Sequence, residues 1–247
     1  MRLKDKVALV TGGASGFGEG IARRFAEEGA SVLIADIAEA AGKKVAASVP
    51  RARFCLADVA KAADVQAMVG AALDAFGAID ILVNNAGTTH RNQPMLDVDE
   101  ETFDRVYAVN VKSIYLTARA AVPIMRQQGG GAILNIASTA GVRPRPGLTW
   151  YNGSKGAAIT LTRSIAAELA PDRIRVNALN PVIGETGLTA AFMGGDSPEL
   201  RRKFVATIPL GRMSRALDVA NAALFLCSAE AEFLTGVCLE VDGGRCI

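Results

Sequence analysis

The stretch Thr11-Gly12-Gly13-Ala14-Ser15-Gly16-Phe17-Gly18 follows directly on the apolar run Val7-Ala8-Leu9-Val10 and leads into residues with helical periodicity. So short an apolar run, rich in valine, reads as a buried strand. Glycines at 12, 16 and 18 then make a turn that lacks Cβ atoms, so the backbone can fold tightly and leave amide N–H groups free at a helix N-terminus. A strand, a glycine turn and a helix in that order mark the place where an open parallel α/β sheet receives a diphosphate. The spacing is G-x-x-x-G-x-G, not the general G-x-G-x-x-G, but each glycine can serve the same physical purpose.

The remainder of the chain repeats the alternation. Short β-branched runs recur at residues 32–35, 53–57, 79–83, 133–137, 174–179 and 237–241, and helical periodicity covers 18–28, 63–76, 101–128, 151–170 and 217–229. Strands and helices in turn imply parallel pairing through right-handed crossovers. The length of 247 residues would also allow an eight-fold barrel, but the glycine turn after the first strand favours a doubly wound Rossmann sheet. With no linker, repeat or low-complexity tract, residues 1–247 are expected to form a single domain built on the dinucleotide-binding turn. Residues 182–207, interrupted by Gly and Pro and longer than a routine connection, read as a lid.

Composition narrows the class. Half of the residues are hydrophobic, which excludes intrinsic disorder, and 27 basic against 25 acidic side chains leave no surplus charge for a phosphate backbone, so nucleic acid is not an expected partner. The four cysteines contain no Cys-x-x-Cys pair and the single histidine cannot build a His-based zinc site, so no metal is expected. No signal peptide is evident and no apolar run approaches the ~20 residues that span a bilayer. A cytoplasmic protein without a membrane partner is the expectation.

Two features carry chemistry. Asp36 ends the second strand about 20 residues past the glycine turn, where a carboxylate can accept hydrogen bonds from ribose hydroxyls and would repel a 2′-phosphate. Neither Ser15 nor Ile37 supplies a compensating cation, which favours NAD(H) over NADP(H); capping of a following helix is the bland alternative for Asp36. Tyr151 and Lys155 stand one helical turn apart on one face. A tyrosine near its usual pKa of about 10 is a poor base at neutral pH, and a neighbouring ammonium favours its phenolate.

Taken together, Thr11-Gly12-Gly13-Ala14-Ser15-Gly16-Phe17-Gly18, Asn84-Asn85-Ala86-Gly87, Ser138 and Tyr151-Asn152-Gly153-Ser154-Lys155 resemble the short-chain dehydrogenase/reductase family over nearly the whole chain. Asp58-Val59 after the third strand and Val241-Asp242-Gly243-Gly244 near the end fall in the family's order. The resemblance implies a seven-stranded parallel sheet and a catalytic tetrad of Asn110, Ser138, Tyr151 and Lys155. In it, Tyr151 exchanges the hydroxyl proton, Ser138 binds the substrate oxygen, Lys155 lowers the tyrosine pKa and holds the nicotinamide ribose, and Asn110 positions a relay water. It further implies cofactor contacts from Gly12, Ser15, Gly16, Phe17, Gly18, Asp36, Ile37, Asp58, Val59, Asn84, Ala86, Gly87, Pro181 and Thr186. One departure stands out: Pro181-Val182-Ile183-Gly184-Glu185-Thr186 replaces the family's usual Pro-Gly, so the path of 182–184 is the least defined.

The expected activity is hydride transfer between a nicotinamide cofactor and a secondary alcohol or ketone. Reduction of 3-oxoacyl thioesters, as in 3-oxoacyl-[acyl-carrier-protein] reductases, is the alternative within the family, and a non-catalytic dinucleotide-binding regulator the alternative outside it. Leu148, Trp150, Leu188, Phe192 and Met193 offer apolar surface for a neutral substrate, while His90, Arg143 and Arg145 read as solvated side chains. If the arginines turned inward, they would instead select an acidic substrate. Long apolar helices at 101–128 and 151–170 suggest a homotetramer, since in the family such helices pair across subunits.

Overall fold

In the computed structural model, which describes residues 1–247, β1 (Val7–Thr11), β2 (Ser31–Asp36), β3 (Ala52–Leu56), β4 (Ile81–Asn84), β5 (Gly131–Ile136), β6 (Ile174–Pro181) and β7 (Cys238–Val241) form one sheet. Its order is β3-β2-β1-β4-β5-β6-β7 and every pair is parallel. The chain therefore winds outward from β1 in one direction, returns, and winds outward from β4 in the other. The reversal lies between β1 and β4, where the carboxyl ends of adjacent strands lead apart and leave a crevice.

Around the sheet run α1 (Gly16–Glu27), α2 (Glu39–Ser48), α3 (Ala62–Phe76), α4 (Glu100–Tyr107), α5 (Ser113–Gln128), α6 (Thr149–Leu169), α7 (Thr189–Met193), α8 (Pro198–Val205) and α9 (Ala216–Cys227). Strand alternation sorts the core into two layers. Ala8 and Val10 of β1, with Val32, Ile34, Ile81 and Val83, pack against Ile21 and Phe25 of α1 and Val219 and Leu224 of α9. Leu9, Leu33, Leu82 and Ile133 face the other way, onto Met68 of α3, Met125 of α5 and Leu169 of α6. Both faces are covered, which is why these strands are apolar throughout.

The structure departs from the periodicity in two places. The stretch 101–128 is not one helix: α4 and α5 are joined by a π-helical turn at Ala108–Lys112. An extra residue in one turn shifts the apolar stripe without ending it, so the sequence pattern runs on. The helix α2 escapes the pattern because only Gly42 and Val45 are buried in it, too thin a stripe to show a period. Residues 182–207 hold two short helices, α7 and α8. No helix is long and apolar enough to cross a membrane.

Polar side chains fasten the crevice. The Thr11 hydroxyl accepts from the backbone N–H groups of Asn85 (3.0 Å) and Ala86 (3.1 Å) and donates to the carbonyl of Val83 (3.2 Å). Deeper in, Asn84 donates to Asn135 and Asn135 to Thr162, linking β4 and β5 to α6. Thr11 is 1% exposed, so removing its hydroxyl strands two amide donors. Thr11→Val, nearly isosteric, should lower stability by about 2 kcal/mol in urea denaturation, whereas Thr11→Ser should cost less than half of that.

Candidate active site

A cleft of about 580 Å³ opens at the carboxyl ends of the strands, lined by the glycine turn, the ends of β2, β4, β5 and β6, the start of α6, and α7 with Phe204 of α8. Its floor is set by the joint between β1 and β4. Asn85 donates its side-chain amide to the carbonyls of Thr11 (2.9 Å) and Gly12 (3.0 Å) and so pins the start of the turn. A Cβ on Gly18 would stand 2.1 Å from the Gly12 carbonyl oxygen, which fixes that residue as glycine. Ser15 caps α1 in extended geometry without spending its hydroxyl on the helix, and the first-turn amides at Gly16 and Phe17 have no acceptor within the helix. The cleft thus meets a helix N-terminus able to hold a diphosphate.

On one side lie Asp36, Ile37, Asp58 and Val59. The Asp36 carboxylate accepts from the backbone of Ala14 (3.0 Å) and Ala38 (2.9 Å), so it braces the glycine turn and the entry to α2 at once. Each oxygen keeps further lone pairs for a ligand hydroxyl. Ile37 is 72% exposed, and the cations lining the cleft, Arg105, Arg145 and Lys155, come from α4, from the connection between β5 and α6, and from α6.

On the other side, α6 presents Tyr151 and Lys155, both buried, to the end of β5. Lys155 donates to the carbonyl of Ile136 (2.7 Å), and its Nζ stands 6.0 Å from the Tyr151 ring centroid. Ser138 begins a short 3-10 turn and accepts from Ala140 N–H (3.1 Å). Burial pushes the Tyr151 phenol up to about 12, opposed only by its hydrogen bond with Ser138, and burial pushes Lys155 down to about 8. The expected lowering of the tyrosine pKa by Lys155 is therefore absent in this state, where desolvation outweighs every other effect on Tyr151.

Most of the expected residues meet in the cleft, but three do not line it. Gly18 lies under the turn, and Asn84 points to Asn135. The carboxamide of Asn110, in the π-helical turn, is clamped by the backbone N–H and C=O of Thr88 and by Ser154, all at 2.9 Å. Pro181 and Thr186 do line the cleft, the Thr186 methyl lying 3.3 Å from where a Gly16 Cβ would be. The unusual Gly184 is explained by crowding: a Cβ there would stand 2.4 Å from the Phe17 ring.

Other expectations are corrected. His90 is 2% exposed, its Nδ1 2.8 Å from the Arg91 carbonyl oxygen, so it is not a solvated loop residue. Trp150 packs edge-on against Phe103 and donates to the Met95 carbonyl, and Met193 is buried; neither lines the cleft. Arg143 is exposed as expected, but Arg145 lines the cleft, together with Leu148, Leu188, Phe192 and Phe204. Asn85, within Asn-Asn-Ala-Gly, satisfies the end of β1 as a strand-end asparagine can, whereas nothing local in the sequence signals that Phe204 lines the cleft.

Comparison with known proteins gives a consistent picture. Residues 12–245 match the family model described as enoyl-(acyl carrier protein) reductase. The chain is 54% identical over 250 residues to 4-formylbenzenesulfonate dehydrogenase of Comamonas testosteroni, covering 99% of both chains. It is 40% identical to 2-(R)-hydroxypropyl-CoM dehydrogenase of Xanthobacter autotrophicus, covering 97% of this chain and 98% of that one. Among solved structures, a 3-ketoacyl-(acyl-carrier-protein) reductase from Brucella melitensis, complexed with NADH, superposes with a TM-score of 0.94 at 49% identity, covering 99% of this chain and 100% of that one. Sheet order, cleft and relatives agree: the chain belongs to the short-chain dehydrogenase/reductase family and is a nicotinamide-dependent oxidoreductase acting on CH–OH groups.

Proposed function

We propose that the enzyme works with NAD(H) in preference to NADP(H), with Tyr151 as the proton donor and acceptor. The observation that carries the cofactor preference is Asp36, fixed by two backbone N–H groups at the rim of the cleft beside exposed Ile37, with no cation lining the cleft on that side. The residues fit a dinucleotide: glycine backbone at a helix N-terminus for the diphosphate, Asp36 for the adenosine ribose, and Asp58 and Val59 flanking the adenine. Gly12, Ser15, Gly16, Phe17, Ile37, Ala86, Gly87, Pro181 and Thr186 complete the walls, with Gly18 and Asn84 supporting them from behind.

When bound, the nicotinamide supplies or accepts the hydride. In the direction of reduction, the Tyr151 hydroxyl gives its proton to the substrate oxygen while the Ser138 hydroxyl holds that oxygen in place. The buried Lys155 ammonium then faces a phenolate, the one state in which its own burial is compensated by a counter-charge. Asn110 acts through position: its clamp on Thr88 and Ser154 fixes the wall behind Lys155. Oxidation runs the same path backwards, with the phenolate as base. The same groups would serve the 3-oxoacyl thioester reduction named for the Brucella relative, since nothing in them depends on the substrate's tail.

The chain is further proposed to act in the cytoplasm, where its four free cysteines would stay reduced, and to assemble as a homotetramer. Support for assembly comes from exposed apolar side chains on and around the free edge at β7 and α9: Leu217, Phe233 and Leu239. Residues 182–207 are proposed to cover the substrate as a lid.

Four outcomes test these assignments. NAD(H) should be used roughly tenfold or more efficiently than NADP(H) by kcat/KM, and Asp36→Ala should narrow the gap; equal efficiencies with both cofactors would contradict the assignment of Asp36. Tyr151→Phe should retain less than about a tenth of the activity with NADH affinity within a factor of about two. In the native enzyme, kcat/KM for oxidation should rise with pH throughout the accessible range, because oxidation needs the Tyr151 phenolate and Tyr151 is held protonated up to about 12, while that for reduction should fall above about 8 as Lys155 loses its proton. Light scattering at micromolar concentration should give four times the chain mass, and a monomer would overturn the tetramer.

A further inference from the structure

Beyond Tyr151 the cleft continues between Leu148, Leu188, Phe192 and Phe204, with the Phe192 ring 5.0 Å from that of Tyr151. One charged side chain belongs to this apolar part. Arg145 lays its guanidinium over Phe204, 4.5 Å from the ring centroid, and donates to the Thr207 hydroxyl at 3.2 Å. No carboxylate pairs with it; its charged neighbours are Arg143 and Arg245, and the two acidic residues of the cleft, Asp36 and Asp58, lie past the glycine turn at the other end of the strand order. Burial and those two cations push Arg145 down to about 10.

The position is built, not incidental. The carbonyl of Arg145 accepts from Asn152 (2.8 Å), one residue after Tyr151, and the same loop is held by Asn92 at Pro146 and by the Gln93 N–H at Gly147. A half-buried guanidinium among like charges, held over an aromatic ring and without a counter-ion, gains most from an incoming oxyanion, which it can grip through two parallel N–H groups.

We propose that Arg145 receives the far end of the substrate and that this end is anionic, a carboxylate or sulfonate joined by an apolar body to the carbon that reacts at Tyr151. This reading rests on the proposed roles of Tyr151 and the dinucleotide site, and replaces the expectation of a neutral substrate. Ser138 and Tyr151 would bind the oxygen at one end, Phe192, Leu148 and Leu188 the body, and Arg145 the charge.

The test is calorimetric titration of the NAD⁺-saturated enzyme, in which a ketone cannot be reduced, with 4-acetylbenzoate, 4-acetylbenzenesulfonate and the neutral 4-acetylbenzamide. Each anion should bind roughly tenfold or more tightly than the amide, Arg145→Gln and Arg145→Met should abolish the difference, and Arg145→Lys should keep part of it. NAD⁺ affinity reports whether each variant is folded. Equal affinities in the native protein, a preference for anions that survives in either neutral variant, or binding of none of the three probes would overturn the proposal. Failure of the native protein to bind NAD⁺, or full activity in Tyr151→Phe, would instead strike the underlying reading of the cleft.

Discussion

The hydroxyl of Thr11 and the carboxamide of Asn85 join β1 to the segment after β4 at the point where the sheet reverses its direction of winding. Parallel strands end there with backbone amides and carbonyls that have no further ladder partner, and buried groups of that kind must be satisfied by side chains. These two side chains satisfy them and, in doing so, hold the glycine turn open toward the cleft. The helix N-terminus open to the cleft, the brace from Asp36 to Ala14 and the packing of α1 all presuppose that joint.

From this frame the two ends of the cleft acquire opposite electrical character. Asp36 ends β2 and Asp58 follows β3, while Lys155 and Arg145 belong to α6 and to the loop before it, on the far side of the crossover. A dinucleotide laid across the strand ends would meet carboxylates where it offers ribose hydroxyls. The reacting compound would meet hydroxyls first and a cation beyond them. Topology arranges this separation, since residues after β2 and β5 cannot exchange sides of a parallel sheet.

Burial does the rest of the chemistry. Tyr151 and Lys155 are both taken out of water, which favours the neutral form of each when considered alone. Only when the phenol loses its proton do the two charges compensate one another, which is the state the proposed proton transfer passes through. Asn110, kept by the π-helical turn against Thr88 and Ser154, fixes the wall from which Lys155 projects.

The sequence by itself determined the alternation of strands and helices, the doubly wound class and most of the expected residues that the structure gathers in the cleft, because these are local: a turn without Cβ atoms, a carboxylate at a strand end, two side chains one helical turn apart. Tertiary structure decided what local pattern does not encode. It placed Arg145 in the cleft through hydrogen bonds from Asn152 to its loop, sent Trp150 and Met193 away, and buried His90. It made Gly184 necessary through the Phe17 ring, separated from it by most of the sheet in sequence but touching it in space. Side-chain direction in loops is set by partners distant in the chain, and a sequence read along one dimension does not contain those distances.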